Sequence, residues 1–262
     1  MLSRTLQILL FFIFVGSIVA IWYWDNLKLK TGELQNGASF EVVDCWFDNP
    51  TTVRVECGYM VTRHSNPDHA TFKLPVVVLR HSQWKNSQAP MLHIAGGPGG
   101  PAYIDAETMP YWLENFKTQN WGLDYVLYDQ RGSGLSQPFL DCHDELQQLR
   151  VSADHIKHIG TDLSANDIAD LQSLLSIKQW VLMGVSYGTR VALSFTEHFP
   201  QQVKSLVLDS VYPPEVNGFE TALLNGLRGI DKILDLCESN TSCQTSYPDL
   251  TGQLVDVLDS RP

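Results

Sequence analysis

Ser186 stands in Gly184-Val185-Ser186-Tyr187-Gly188, a Gly-x-Ser-x-Gly element between an apolar run, Trp180 to Met183, and a helical pattern, Gly188 to His198. Glycines suit a turn too tight for Cβ atoms on either side of the serine. The hydroxyl then projects above a sheet edge at the positive end of the following helix. That is the setting of an acylating nucleophile. The bare pattern arises by chance in about one chain in ten of this length. Its place between strand and helix therefore carries the assignment, against the plainer reading of a turn that only packs helix on sheet.

An acyl-transfer serine needs donors for the developing oxyanion. The backbone amide of Tyr187, next after the nucleophile, is one. Amides of Gly96-Gly97-Pro98-Gly99-Gly100, which follows the apolar run Met91 to Ile94, are the other source. Each such donor is worth roughly 3–4 kcal/mol to a tetrahedral intermediate. A phosphate loop is disfavoured, because the Gly-Lys-Ser/Thr ending is missing. Asp129-Gln130-Arg131-Gly132-Ser133-Gly134-Leu135-Ser136 is a third element. Its expected role is structural, with Asp129 and Arg131 pairing to hold the loop beneath the catalytic face.

The elements that position these loops follow from patterning. Val53 to Thr62, Phe72 to Arg80, Met91 to Ile94, Tyr125 to Tyr128, Trp180 to Met183 and Ser205 to Val211 read as strands, with Asn66-Pro67-Asp68 as turn material. Residues 105–118 and Gly188 to His198 read as helices. So does Ala165 to Ile177, with apolar Ile168, Leu171, Leu174 and Leu175 and with Ser164 as N-cap. Strand-then-helix units with apolar strands predict an α/β fold, a mostly parallel sheet covered on both faces.

Eighteen basic against twenty-nine acidic side chains give the 262-residue chain a formal charge of −11. A field of that sign repels phosphates, so no nucleic-acid partner is expected. No Cys-x-x-Cys cluster is present and no metal or organic cofactor is expected. Leu6 to Trp24 is nineteen residues without a charge, ending in Trp22-Tyr23-Trp24. At the helical rise it spans roughly 28 Å, close to the ~30 Å hydrocarbon core. An uncleaved signal anchor through residues 6–24 is expected, since Ile18-Val19-Ala20 is a poor cleavage site; a cleaved signal peptide is the alternative. Cys45 with Cys57 and Cys237 with Cys243 are spaced for disulfides in an oxidising compartment, leaving Cys142; five reduced thiols is the opposite reading. Anchor and paired cysteines together point to an extracytoplasmic, membrane-anchored protein, or a secreted one if the leader is cleaved.

The glycine loop, the Asp-Gln-Arg-Gly-x-Gly-x-Ser loop and the Gly-x-Ser-Tyr-Gly elbow, in this order, resemble the proline iminopeptidase and tripeptidyl aminopeptidase family of α/β-hydrolases. Val207-Leu208-Asp209-Ser210-Val211 before Pro213-Pro214 resembles that family's next strand, and Cys237…Cys243…Tyr247-Pro248 the start of its helical cap. Ala95 departs from the family, which often carries His there. The resemblance implies an α/β-hydrolase fold divided into residues 1–30 (anchor or signal peptide), 31–212 (incomplete core) and 213–262 (start of the cap). It implies Ser186 as nucleophile, Gly97 and Tyr187 as oxyanion amides, and a peptide with a free N-terminus as substrate. In this fold the acid and the His follow the nucleophile, normally after the cap. No His follows His198, itself expected to be a surface residue; His93 is expected to be structural, and so is Asp209, although it stands at a strand end where some hydrolases keep their acid. The chain is thus expected to lack the catalytic Asp and His and to be truncated in the cap. An esterase of the same fold and an inactive remnant are the competing expectations.

Overall fold

The computed structural model describes residues 15–17, 28–63, 71–81, 89–140 and 153–260. Among them eight strands form one sheet: β1 (Gly32–Glu33), β2 (Ser39–Val43), β3 (Arg54–Val61), β4 (Lys73–Arg80), β5 (Met91–Ile94), β6 (Tyr125–Tyr128), β7 (Trp180–Val185) and β8 (Val203–Asp209). Their spatial order is β1-β2-β3-β4-β6-β5-β7-β8. Strands β1 through β4 and the β4–β6 pair are antiparallel, while β6, β5, β7 and β8 run parallel. The sheet is therefore mixed, which corrects the expectation of a mostly parallel one. Burial does not distinguish the two arrangements here: Leu74 to Leu79 of β4 are all buried, yet β4 is antiparallel to both neighbours. The short link between β2 and β3 is also too brief for a parallel crossover.

Period-2 alternation sends successive side chains to opposite faces. Val76, Val78, Leu92, Val126, Trp180 and Leu182 join one buried cluster, and Val77, Leu79, Met91, Leu127 and Val181 join the other. Helix α1 (Met109–Gln119) closes the second with Met109, Leu113 and Phe116, one helical stripe that begins at a first-turn Pro and ends at left-handed Asn120. Residues 153–157 form the short α2 (Ala153–Lys157). The first face is covered by α3 (Thr161–Leu174) and α4 (Tyr187–His198) through Ile168, Leu171, Val191, Ala192 and Phe195. Helix α3 begins one turn before the expected N-cap. Ser164 is buried inside it and its N–H bonds to Gly160 (3.0 Å), because Thr161 and Asp162 continue the helix and the Asp162 carboxylate accepts from Ser194 Oγ of α4 at 2.8 Å.

The chain crosses from β5 through α1 to β6 on one side, and from β6 through α3 to β7 on the other. The direction of winding thus reverses at β5, and ligands in such sheets bind outside the carboxyl ends of the strands at that reversal. Gly96 follows β5 there and Ser186 follows β7.

Compactness divides the chain between Pro213 and Pro214. The second unit holds α5 (Gly218–Glu238), α6 (Thr241–Ser246) and α7 (Leu250–Asp259). Asn240 caps α6 by accepting the Cys243 N–H at 3.0 Å, and Asp249 caps α7 by accepting the Gly252 N–H at 3.1 Å. Both expected disulfides are present, Cys45–Cys57 in the first unit and Cys237–Cys243 in the second, each with Cα atoms 5.2 Å apart. Cys142, the Asn66-Pro67-Asp68 turn and nearly all of residues 6–24 lie outside the described residues. Among the described residues no helix is long and apolar enough to cross a membrane.

Candidate active site

Ser186 is the hinge between β7 and α4, with φ 53° and ψ −118°. A left-handed φ on a side chain with a Cβ is strained and persists only where the surroundings fix it. They do so on three sides. The Ser186 N–H bonds to the Asp209 carbonyl of β8 at 2.8 Å, and the Ser186 carbonyl accepts from both Thr189 N–H (3.0 Å) and Thr189 Oγ1 (2.6 Å). Thr189 Oγ1 in turn accepts the Tyr212 N–H at 2.8 Å. The flanking glycines are steric necessities: a Cβ on Gly184 would lie 2.6 Å from the Gly188 carbonyl oxygen, and one on Gly188 would overlap the carbonyls of Ile94 and Ala95.

The glycine loop packs directly on this elbow. A Cβ on Gly96 would sit 2.8 Å from the Val185 oxygen and 3.0 Å from the Ser186 Cβ. Gly97 has φ +113°, a conformation suited to glycine. The Gly96 carbonyl accepts from Gly100 N–H at 3.1 Å. Across the trans Gly96–Gly97 peptide the Gly97 N–H points the opposite way. Among the described residues neither the Gly97 N–H nor the Tyr187 N–H, the first amide of α4, is spent on a hydrogen bond. Tyr187 is otherwise fixed through its hydroxyl, 3.0 Å from Thr161 Oγ1.

The third loop does not hold itself by the expected Asp129–Arg131 pair. Arg131 reaches across to α3, where its Nε and Nη2 grip both oxygens of buried Asp167 at 2.8 and 2.6 Å, and its Nη1 donates to the His158 carbonyl at 2.6 Å. Asp129 instead accepts backbone amides, Ala102 N–H and Leu135 N–H, both at 2.7 Å. Burial pushes its carboxyl up, partly opposed by those two bonds. Gln130 donates from Nε2 to the Ala95 carbonyl at 2.9 Å.

No described imidazole is placed as a base for Ser186. His198 is at the far end of α4, about 16 Å along the axis, with Nδ1 2.8 Å from the Ser194 carbonyl. His93 is half-buried on β5 against the Trp112 ring (centroids 5.0 Å apart), where loss of solvent pulls it down to about 4. Asp209 lies beside Val185 in register, but its carboxylate is exposed and accepts from Ser210 Oγ at 2.9 Å. Sequence reasoning missed Thr189, Thr161 and the bond made by Gln130. A Thr three residues after the N-cap was the one available signal, since that spacing lets a hydroxyl return to the cap carbonyl.

Mixed sheet, strained Ser elbow and glycine loop at the winding reversal define the α/β-hydrolase class. The chain belongs to the alpha/beta hydrolase fold family, whose pattern matches residues 89–235. It is similar to the Escherichia coli hydrolase YuaR, 25% identical over 236 residues that cover 80% of this chain and 45% of that protein. Proline iminopeptidase of Neisseria gonorrhoeae is 28% identical over 171 residues (64% and 47% covered). Tripeptidyl aminopeptidase of Streptomyces coelicolor is 24% identical over 215 residues (68% and 39%). A solved structure of a proline iminopeptidase-related protein from Thermus thermophilus aligns with TM-score 0.38 at 24% identity, over 59% of this chain and 44% of that one. The chain spans less than half the length of the curated relatives named here.

Proposed function

We propose that this chain carries the nucleophile half of a serine aminopeptidase that releases N-terminal residues or short peptides through an acyl-enzyme on Ser186. The observation that carries the reading is the strained Ser186 elbow with two unspent amides, Tyr187 N–H and Gly97 N–H, on loops packed against it. Ser186 Oγ attacks the scissile carbonyl, its proton passes to a base, and the carbonyl oxygen, now an oxyanion, is received by the two amides. The base and its acid come from outside the described residues. The peptide class is taken from relatives named as proline iminopeptidase and tripeptidyl aminopeptidase.

The location belongs to the same proposal. Two disulfides suit an oxidising, extracytoplasmic compartment, and the apolar residues 6–24 serve as the membrane tether. The test is a fluorophosphonate probe on the protein in its native membrane fraction. Ser186 is expected to be labelled, Ser186→Ala to remain unlabelled, and chelator to change neither. Labelling that survives Ser186→Ala removes the residue from this role.

A further inference from the structure

We propose that Asp129 and Gln130 together act as a clamp that positions the oxyanion loop against Ser186, making both positioning residues for turnover. The inference rests on the reading of Ser186 as nucleophile and Gly97 as donor. Residues 95–102 run from the end of β5 to the approach to α1, and adjacent residues of one strand end hold both ends of that run. Gln130 Nε2 donates to the Ala95 carbonyl at 2.9 Å, at the start of the loop. Asp129 Oδ1 accepts the Ala102 N–H at 2.7 Å, at its finish. Ala102 is held a second time, its carbonyl accepting Trp112 Nε1–H at 2.9 Å. Both side chains that form the clamp are buried, as is Ala102.

The clamp is itself immobilised. Leu135 N–H fills the second oxygen of Asp129 at 2.7 Å, and Gly134 packs on the Asp129 carboxylate so closely that a Cβ there would overlap it. Ser133 N–H (3.1 Å) and Oγ (2.9 Å) both return to the Gln130 carbonyl. The Asp-Gln-Arg-Gly-Ser-Gly run is thus one tight turn whose first two side chains face the neighbouring strand. What those side chains set is the glycine loop's seat on the nucleophile. Gly96 already lies at the contact limit with Val185 and Ser186, so the loop cannot slide toward the serine, and the clamp keeps it from moving away. Four glycines in residues 96–100 have little intrinsic preference of their own, and between the two clamped ends the one bond within the run is from Gly100 N–H to the Gly96 carbonyl at 3.1 Å. Oxyanion donors act through placement within a few tenths of an ångström, so a loosened loop loses rate before it loses fold.

The experiment is made in the native membrane fraction, the setting in which Ser186 is expected to be labelled, and compares the protein with Gln130→Ala and Gln130→Glu, and with Arg63→Ala as a control that cuts a distant ion pair to Asp170. Amide hydrogen exchange over residues 95–102, the fluorophosphonate labelling rate of Ser186 and the thermal midpoint are read for each. Gln130→Ala is expected to speed exchange in this segment and slow labelling at least tenfold, while Arg63→Ala lowers the midpoint with labelling unchanged. Gln130→Glu donates to Ala95 only when protonated, so its labelling rate relative to the unsubstituted chain should fall between pH 5.5 and 8.5, a titration the parent lacks. Normal labelling in Gln130→Ala, or faster exchange without slower labelling, overturns the clamp as a positioning device. An unlabelled Ser186 in the parent chain overturns the nucleophile reading, and this inference with it.

Discussion

At the scale of single residues, burial decides what His93 does. Its imidazole has no hydrogen-bond partner at Nδ1, faces Trp112, and is pulled by burial down to about 4. Above pH 6.5 it is neutral whether the chain is folded or not. As pH falls below that value the unfolded chain takes up a proton that the folded chain refuses until about pH 4. Stability therefore drops across that window by up to about 3 kcal/mol and levels off below it. Urea unfolding at pH 7.5 and 4.5 should show a smaller loss for His93→Leu than for the parent; equal losses would place the proton uptake elsewhere. Gly188 illustrates the opposite kind of residue, one defined by space. Gly188→Ala drives a methyl into the Ile94 and Ala95 carbonyls, so a loss of several kcal/mol or outright misfolding is expected, read by the same titration. Ser186, Gly184 and Gly188 were legible in the sequence because their chemistry needs those types at adjacent positions. The partner of Gln130 was not, because its bond to Ala95 spans thirty-five residues and exists only once β6 lies beside β5.

At the scale of elements, contacts that join one loop to one helix carry separable energies. Arg131 ties the turn after β6 to α3 through a bidentate pair with Asp167, and both side chains are at most 5% exposed. Arg131→Met leaves a buried carboxylate without its partner and should cost about 3–5 kcal/mol, whereas Arg131→Met with Asp167→Leu should recover most of that. A urea double-mutant cycle measures the coupling, and a double variant as unstable as the single one would deny it. Helix α5 offers a gain instead. Gly226 and Gly229 lie in its interior, exposed, with nothing within 4 Å of an added Cβ. Each change to Ala should stabilise the helix by about 1 kcal/mol, visible as a higher thermal midpoint of the second unit. Strands β5 and β6 matched their expected bounds, since a short apolar run between Gly or Pro signals has few other solutions. The pairing sense of β4 was hidden, because a Val-rich strand covered on both faces has the same composition in either direction. Strand β1 was invisible at two residues, and β2 buries Phe40 but little beyond it.

At the scale of the whole molecule, the question is whether the 262-residue chain can run the reaction its elbow is shaped for. Serine is a weak nucleophile at its free pKa and needs an adjacent base. Of the imidazoles that are described, His198 is engaged a helix length away, His93 is half-buried on β5 against Trp112, His81 bonds with Asn120, and His155 meets Phe72 edge to face. His158 gives its carbonyl to Arg131. Among the described residues, elbow and amides stand without a base in reach. Knocking out the base of such a triad leaves a residual 10³–10⁴-fold acceleration over water, from the oxyanion hole and binding alone. Turnover of prolyl and tripeptidyl amides by the purified 262-residue chain should therefore sit at about that residual level, several decades below an intact triad, and should not respond to His198→Ala. The assay is run beside Ser186→Ala, whose rate should match that of the parent, since the residual owes nothing to the hydroxyl. Ser186-dependent turnover at ordinary enzyme rates would sink the prediction. It would mean that a base stands among residues outside those described, and His64, His69 and His143 would be the substitutions to make first.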